Sequence, residues 1–212
     1  MTLSRTSKFV LLAFTVLTLV FLYLPLVVVA RLSFNPTKSV GWAGWSGFTL
    51  DWWRQVWEVE GPKQALLNSC KVATVAMLLA LVLGTLAAMA MARFQFFGKS
   101  AVSFILVLPI ALPGIVTGIA LQTTFSRTID LGLFSFRVGF GFHSLVIAHA
   151  TFCVVVAYNN VLARLRRSSP NLLEASADLG AQGTQTFRYI TFPLMRSALV
   201  AGGILAFALS FD

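Results

Sequence analysis

The side chains with which this chain could do covalent or metal chemistry are few: His143 and His149, Cys70 and Cys153, and seven acidic residues. Their spacing argues against that chemistry. Histidines six residues apart fall on opposite sides of a helix, not at the i, i+4 spacing that converges on one ion. The cysteines show no metal-ligand spacing and read as buried free thiols. No Walker-type phosphate loop is present, so any ATP hydrolysis would belong to another protein. Of the acids, Asp212 alone lies in an apolar segment. A membrane-embedded enzyme would need inward-facing catalytic pairs or metal ligands, and an ion-coupled carrier or channel would favour ionisable residues deep in its spans. Both stand as alternatives that these residues do not favour, and the expectation is no cofactor and no catalytic residue.

What the sequence does carry is contact chemistry. Residues 174–193, EASADLGAQGTQTFRYITFP, form a polar interruption in a chain that is 58% hydrophobic and only 11% charged. Ser169-Pro170-Asn171 reads as a helix start, with Asn171 as N-cap and Glu174 completing a capping-box-like pair. Pro170 alternatively suits the first helical position. The helix carries Leu172, Leu173, Ala175, Ser176 and Leu179, and Gly180 is placed to stop it. Thr184 opens a second short helix through Ile190, and Pro193 restarts the membrane helix. Two short helices bent at a glycine make a protruding elbow, whose small residues at 175 and 176 allow close approach to a groove. An amphipathic helix lying on the membrane surface is the competing reading.

Elements long enough to cross a membrane must hold that elbow. A spanning helix needs about 20 apolar residues. Windows of that kind cover 9–30, 66–92, 101–125, 142–163 and 194–212, leaving 164–193 as the elbow loop. The fold class is therefore all-α, a polytopic helical bundle of about five spans in one transmembrane domain over residues 1–212. The first window resembles a signal peptide in its flanking Arg5 and Lys8, but its apolar run is too long for a signal h-region. With the N-terminus in the cytoplasm, inner segments hold Arg5, Lys8, Arg93, Lys99, Arg164, Arg166, Arg167, Arg188 and Arg196. Outer loops hold Arg31, Lys38, Arg54, Lys63, Arg127 and Arg137, so the excess inside is nine against six. This is the positive-inside bias, and the net charge of +9 is topological, not a nucleic-acid footprint.

Residues 31–64 form the longest outer loop and hold all five tryptophans, Trp42, Trp45, Trp52, Trp53 and Trp57. Interfacial anchoring explains them, with a docking surface as the alternative; residues 50–59 read as a short interfacial helix. The third span contains Pro109 and Pro113, then Gly114 and Gly118. Prolines break a helix, and freed backbone groups in lipid must be satisfied by protein or by water in a cavity. A broken helix on a translocation path and close packing at the glycines are both open, and compatible. Asn159 and Asn160 either line a pathway or bond a neighbouring helix. Lys71 snorkels to the interface. The candidate path set is Pro109, Pro113, Gly114, Asn159, Asn160 and Asp212.

The elbow resembles a family motif. Permease subunits of ATP-binding-cassette importers carry Glu-Ala-Ala, three residues, Gly, nine residues, Ile, one residue, Leu-Pro. Here the same spacing holds Glu174-Ala175-Ser176, Gly180, Ile190 and Phe192-Pro193, with Ser176 and Phe192 as the two departures. The stretches at 96–121, 149–167 and 198–212 look like the spermidine/putrescine class of these permeases. The resemblance implies a type I importer-like bundle in a bacterial inner membrane and an ATP-driven importer of polyamines or a related small solute. Its partners would be a cytoplasmic ATPase dimer, a second permease subunit, an extracytoplasmic solute-binding protein and membrane lipid. It further implies that Glu174, Ala175, Ser176, Gly180, Ile190 and Pro193 form the ATPase-coupling loop. Members of the class have six spans, so the last is expected to be missing from this sequence, as in a fragment or a truncated product.

Overall fold

A computed structural model describes residues 4–37, 46–112, 114–130, 135–169 and 171–211. Trp42, Trp45, Lys38, Pro113, Pro170 and Asp212, all used in the sequence reading, lie outside these. The chain divides into two compact units, Met1–Ala65 and Leu66–Asp212.

In the first unit, α1 (Arg5–Leu32) is capped by Ser4, whose hydroxyl accepts from the Ser7 amide. It is apolar all round and buries none of its residues, the pattern of a helix whose neighbour is lipid or another chain. The Thr15 and Thr18 hydroxyls donate to Leu11 and Phe14 carbonyls one turn back, which removes their polarity from the surface. Beyond it, Asn35 is only 2% exposed and ties the loop together. Its Oδ1 accepts from the Ser46 amide and hydroxyl, and its carbonyl accepts from Trp52 Nε1. The expected short helix is present as α2 (Asp51–Glu58).

The second unit is built around three helices. α3 (Glu60–Arg93), α6 (Phe142–Arg166) and α9 (Phe192–Ser210) supply nearly all of its buried residues. An all-apolar helix has no polar side to turn outward, so the signal of burial is residue size. On α3 the buried positions include Ala73, Ala76, Ala80, Gly84 and Ala88, one stripe at three- and four-residue spacing. That stripe meets α6: a Cβ on Gly84 would lie 2.8 Å from the Ala157 Cβ and 2.8 Å from the Tyr158 amide nitrogen.

The pairing of α6 with α9 reads as an antiparallel ladder. Ser210 Oγ lies 3.1 Å from His149 Nδ1, Cys153 Sγ donates to the Ala206 carbonyl, Gly202 faces Ala157, and Arg164 Nε donates to the Leu194 carbonyl. Each step up one helix is a step down the other. Neighbouring apolar groups fill the spaces, among them Tyr158, Val161, Met195 and Ala198 with Ala88 and Met91.

The expected third span is two helices, α4 (Lys99–Ala111) and α5 (Gly114–Ser126), bent by 104° where they meet. Among the described residues, four helices are long and apolar enough to cross a membrane, and the bent pair makes up to five. Pro109 sits inside α4 without ending it. Close packing, one of the two readings open for Gly114 and Gly118, finds no partner among the described residues, because a Cβ on either would meet nothing within 4 Å. A feature the sequence did not signal is a minimal hairpin in the Gly- and Phe-rich loop, β1 (Ile129–Asp130) paired antiparallel with β2 (Ser135–Phe136).

Candidate functional site

The elbow begins with α7 (Asn171–Asp178). Asn171 is the first residue of the helix rather than the residue before it, and Pro170, the alternative opening residue, lies outside the described residues. Glu174 and Ala175 are exposed on α7, whereas Ser176 is 5% exposed. Gly180 ends the helix with φ +73°. The Gly180 amide donates to the Ala177 carbonyl at 2.9 Å and the Ala181 amide to the Ser176 carbonyl at 3.0 Å. That crossed pair is a Schellman cap, which satisfies the last carbonyls of the helix and needs a left-handed residue at this position. Glycine occupies it without the Cβ penalty. A Cβ there would meet nothing within 4 Å, so the demand on Gly180 is conformational rather than steric.

Ser176 does more than fill the place of a small alanine. Its hydroxyl donates to the Leu173 carbonyl at 2.8 Å and shares a hydrogen bond with Thr186 Oγ1 at 3.1 Å, pinning α7 to the segment after the bend. Gln185 Oε1 accepts from the Gln182 amide and closes the start of α8 (Gly183–Thr186). Ser176→Ala is expected to cost about 0.5–1.5 kcal/mol locally. Because alanine fits the site, the fold should persist while amide exchange at residues 182–186 quickens; unchanged exchange would refute the pinning role.

The segment after the bend differs from expectation. The second helix does not stop at Ile190 for Pro193 to restart. It runs on through a π-helical turn, Phe187–Thr191, into α9 as one helix over Gly183–Ser210. The proline explains the wide turn. Pro193 has no amide to donate, and in α geometry its ring would strike the carbonyl four residues back. The Phe192 amide instead reaches the Phe187 carbonyl, five residues back, which opens that turn. Ile190 is half-buried in it, and Thr191 is 2% exposed.

Two arginines fix this elbow to the bundle. Arg93, at the end of α3, donates from Nη2 to Thr191 Oγ1 at 3.0 Å. Arg164, at the end of α6, donates from Nε to the Leu194 carbonyl at 2.9 Å. In the sequence both arginines read only as topological charges, and nothing there singles out Thr191. At the free end the elbow presents apolar and aromatic surface. Leu179 is 88% exposed and Tyr189 70% exposed. They border a groove of ≈ 390 Å³ with Gly180, Ala181, Gln185 and Ile190. The Arg188 guanidinium lies 5.7 Å from the Tyr189 ring centre.

The candidate path residues are spread over different surfaces. Pro109 lines an apolar groove of ≈ 330 Å³ with Leu79 and Leu83 of α3 and Ile147 and Val154 of α6. Gly114 is exposed on α5, and Asn159 is exposed on α6. Asn160 faces α9 at Gly202, yet its Nδ2 donates to the Val156 carbonyl of its own helix at 2.9 Å. Gly202 has no side chain to accept it, so the expected bond to a neighbouring helix is not made there. Pro113 and Asp212 lie outside the described residues. Cys153 is buried and Cys70 half-buried, both as free thiols.

Comparison with known proteins converges on one group. A family described as "Binding-protein-dependent transport system inner membrane component" matches residues 80–212. The chain is 34% identical to the spermidine/putrescine transport system permease protein PotC of Haemophilus influenzae, over 94% of this chain and 74% of the relative. It is 33% identical to the putrescine transport system permease protein PotI of Escherichia coli, over 91% of this chain and 67% of the relative. PotC of Escherichia coli is 34% identical over 91% of this chain and 69% of the relative.

Proposed function

The chain belongs to the family of binding-protein-dependent transport system inner membrane components, and from that premise we propose that it is the permease subunit of an ATP-driven polyamine importer. It is a multi-pass inner-membrane protein with its N-terminus in the cytoplasm. Its partners are a cytoplasmic ATPase dimer that hydrolyses the ATP, a second permease subunit and an extracytoplasmic solute-binding protein. The polyamine assignment rests on the names of the relatives, and the coupling assignment on the elbow.

The observation that carries the reading is the exposed tip of the elbow. Leu179, 88% exposed, and Tyr189, 70% exposed, border one groove beside the left-handed Gly180, and a joined apolar patch on a polar segment is the mark of a contact surface. In this reading Glu174, Ala175, Ser176, Gly180, Ile190 and Pro193 shape the part that the ATPase grips. Closure of the ATPase pair moves the elbow. Arg93 and Arg164 pass the motion to α3 and α6, and α9 is already continuous with it. A conformational change needs differential contacts in its two states, and the tip is where those contacts form. Pro109, Pro113, Gly114, Asn159, Asn160 and Asp212 are the residues proposed for the path that opens alternately to either side.

Leu179→Asp tests the assignment without touching the core. Its side chain bears no packing load, so the chain should insert and elute normally. The ATPase should no longer co-purify, and uptake of labelled putrescine and spermidine should fall to background. Wild-type uptake with a normal complex would refute the coupling role of the tip. Normal assembly of the wild type without uptake of either polyamine would refute the substrate alone.

A further inference from the structure

A second cleft lies at the base of the elbow, where α3 and α6 end and α7 begins; the transport cycle above uses its Arg93–Thr191 bond but assigns no ligand to the cavity. Its volume is ≈ 270 Å³. Two of its lining residues are cations, Arg93 and Arg166, and three carry hydroxyls, Ser168, Ser169 and Thr191; the Ser168 hydroxyl donates to the Arg164 carbonyl and Thr191 accepts from Arg93. The rest of the wall is mainly apolar and includes Leu165 and Leu173. Arg93 uses one Nη2 bond on Thr191, which leaves further donors of its guanidinium for a ligand. Arg166 is exposed, with no carboxylate in ion-pair distance among the described residues. The acids of the elbow, Glu174 and Asp178, are not part of the lining.

We propose that this cleft binds the phosphate headgroup of an anionic phospholipid. Two guanidinium groups and the Ser169 hydroxyl in one recess supply the positive charge and the donors that a phosphodiester takes. A soluble phosphate would satisfy the arginines but leave the leucines unmatched. A lipid satisfies both, with its headgroup on the cations and the start of its acyl chains along the apolar wall. The cleft also stands at the ends of helices long enough to span a bilayer, where headgroups are found. A bound lipid would bridge α3 and α6 to the first turn of α7, so it would brace the elbow that the bundle must move. The proposal requires only that α3 and α6 end at the membrane surface, and it stands whether or not the importer reading holds.

The test uses the protein purified from its membrane with the subunits it carries. It is titrated with dioctanoyl phosphatidylglycerol, and native mass spectrometry reads the retained lipid. Arg166→Gln should weaken binding about fivefold, from roughly 1 kcal/mol per interfacial cation. Ser169→Leu should block the recess by volume. Arg196→Gln removes a charge from outside the lining and should bind as the wild type does. Dioctanoyl phosphatidylcholine and inorganic phosphate should compete poorly. Wild-type retention in both Arg166→Gln and Ser169→Leu, with normal elution, would overturn the site. Equal displacement by inorganic phosphate would overturn the lipid as its occupant, and equal displacement by phosphatidylcholine its anionic selectivity.

Discussion

Gly84→Ala should force α3 away from α6 and lower the unfolding temperature of the bundle, whereas Gly202→Ala in the same core should leave it nearly unchanged. The two glycines look alike in sequence, each within an apolar helix. Their surroundings differ. A Cβ on Gly84 would lie 2.8 Å from the Ala157 Cβ, 2.8 Å from the Tyr158 nitrogen and 2.9 Å from the Val154 carbonyl oxygen. Two of those three atoms are backbone of a buried helix and cannot turn aside as a side-chain tip does. A Cβ on Gly202 would meet the Ala157 Cα and the Asn160 Cβ at 3.5 Å, ordinary contact. Adding a methyl to a filled core costs about 1–3 kcal/mol, and the upper end applies where only backbone can yield. Gly84→Leu should prevent a stable bundle altogether. Detergent thermal unfolding followed by size exclusion reads the difference. Equal unfolding temperatures for Gly84→Ala and Gly202→Ala would mean that α3 does not lean on α6 through Gly84.

The contrast also marks what the sequence carried plainly and what it did not. The elbow was legible because its determinants are local. A short helix, a glycine stop and a proline sit close together in 171–193, at a spacing that one segment can display. The small-residue stripe of α3 was present too, but as size rather than polarity, and a search for polar and apolar faces passes over it. The anchors of the elbow were out of reach. Arg93 meets Thr191 across 98 residues of sequence, and only the packing of α3 against α6 and α9 brings the helix ends together. Pro193 was readable as a helix breaker, yet the π-helical turn absorbs it and keeps the helix continuous. Asn160 could line a pathway or bond a neighbouring helix. Its neighbour at that level is Gly202, which offers no side-chain acceptor, and the amide turns back to Val156.

Gly180→Val should abolish most transport, and Gly180→Asn should retain much of it. The reason lies in the backbone at φ +73°, where a β-branched residue is strained and asparagine is tolerated. Strain of that kind costs about 1–3 kcal/mol, roughly a 5- to 150-fold loss in the population of the correctly bent elbow. Space within the chain is not the issue, since a Cβ would meet nothing within 4 Å. Losing the left-handed residue frees the Ala181 and Gly180 amides from their carbonyls on α7 and swings Leu179 away from its place at the tip. The core of α3, α6 and α9 lies apart from this change, so the variant should be produced and elute normally. Uptake of labelled putrescine by cells carrying the complete transporter is the measurement, with ATPase co-purification beside it. Wild-type uptake by Gly180→Val would show that the bend tolerates another backbone conformation. Equal loss in the valine and asparagine variants would move the demand from the φ angle to a partner surface that closes on the glycine itself.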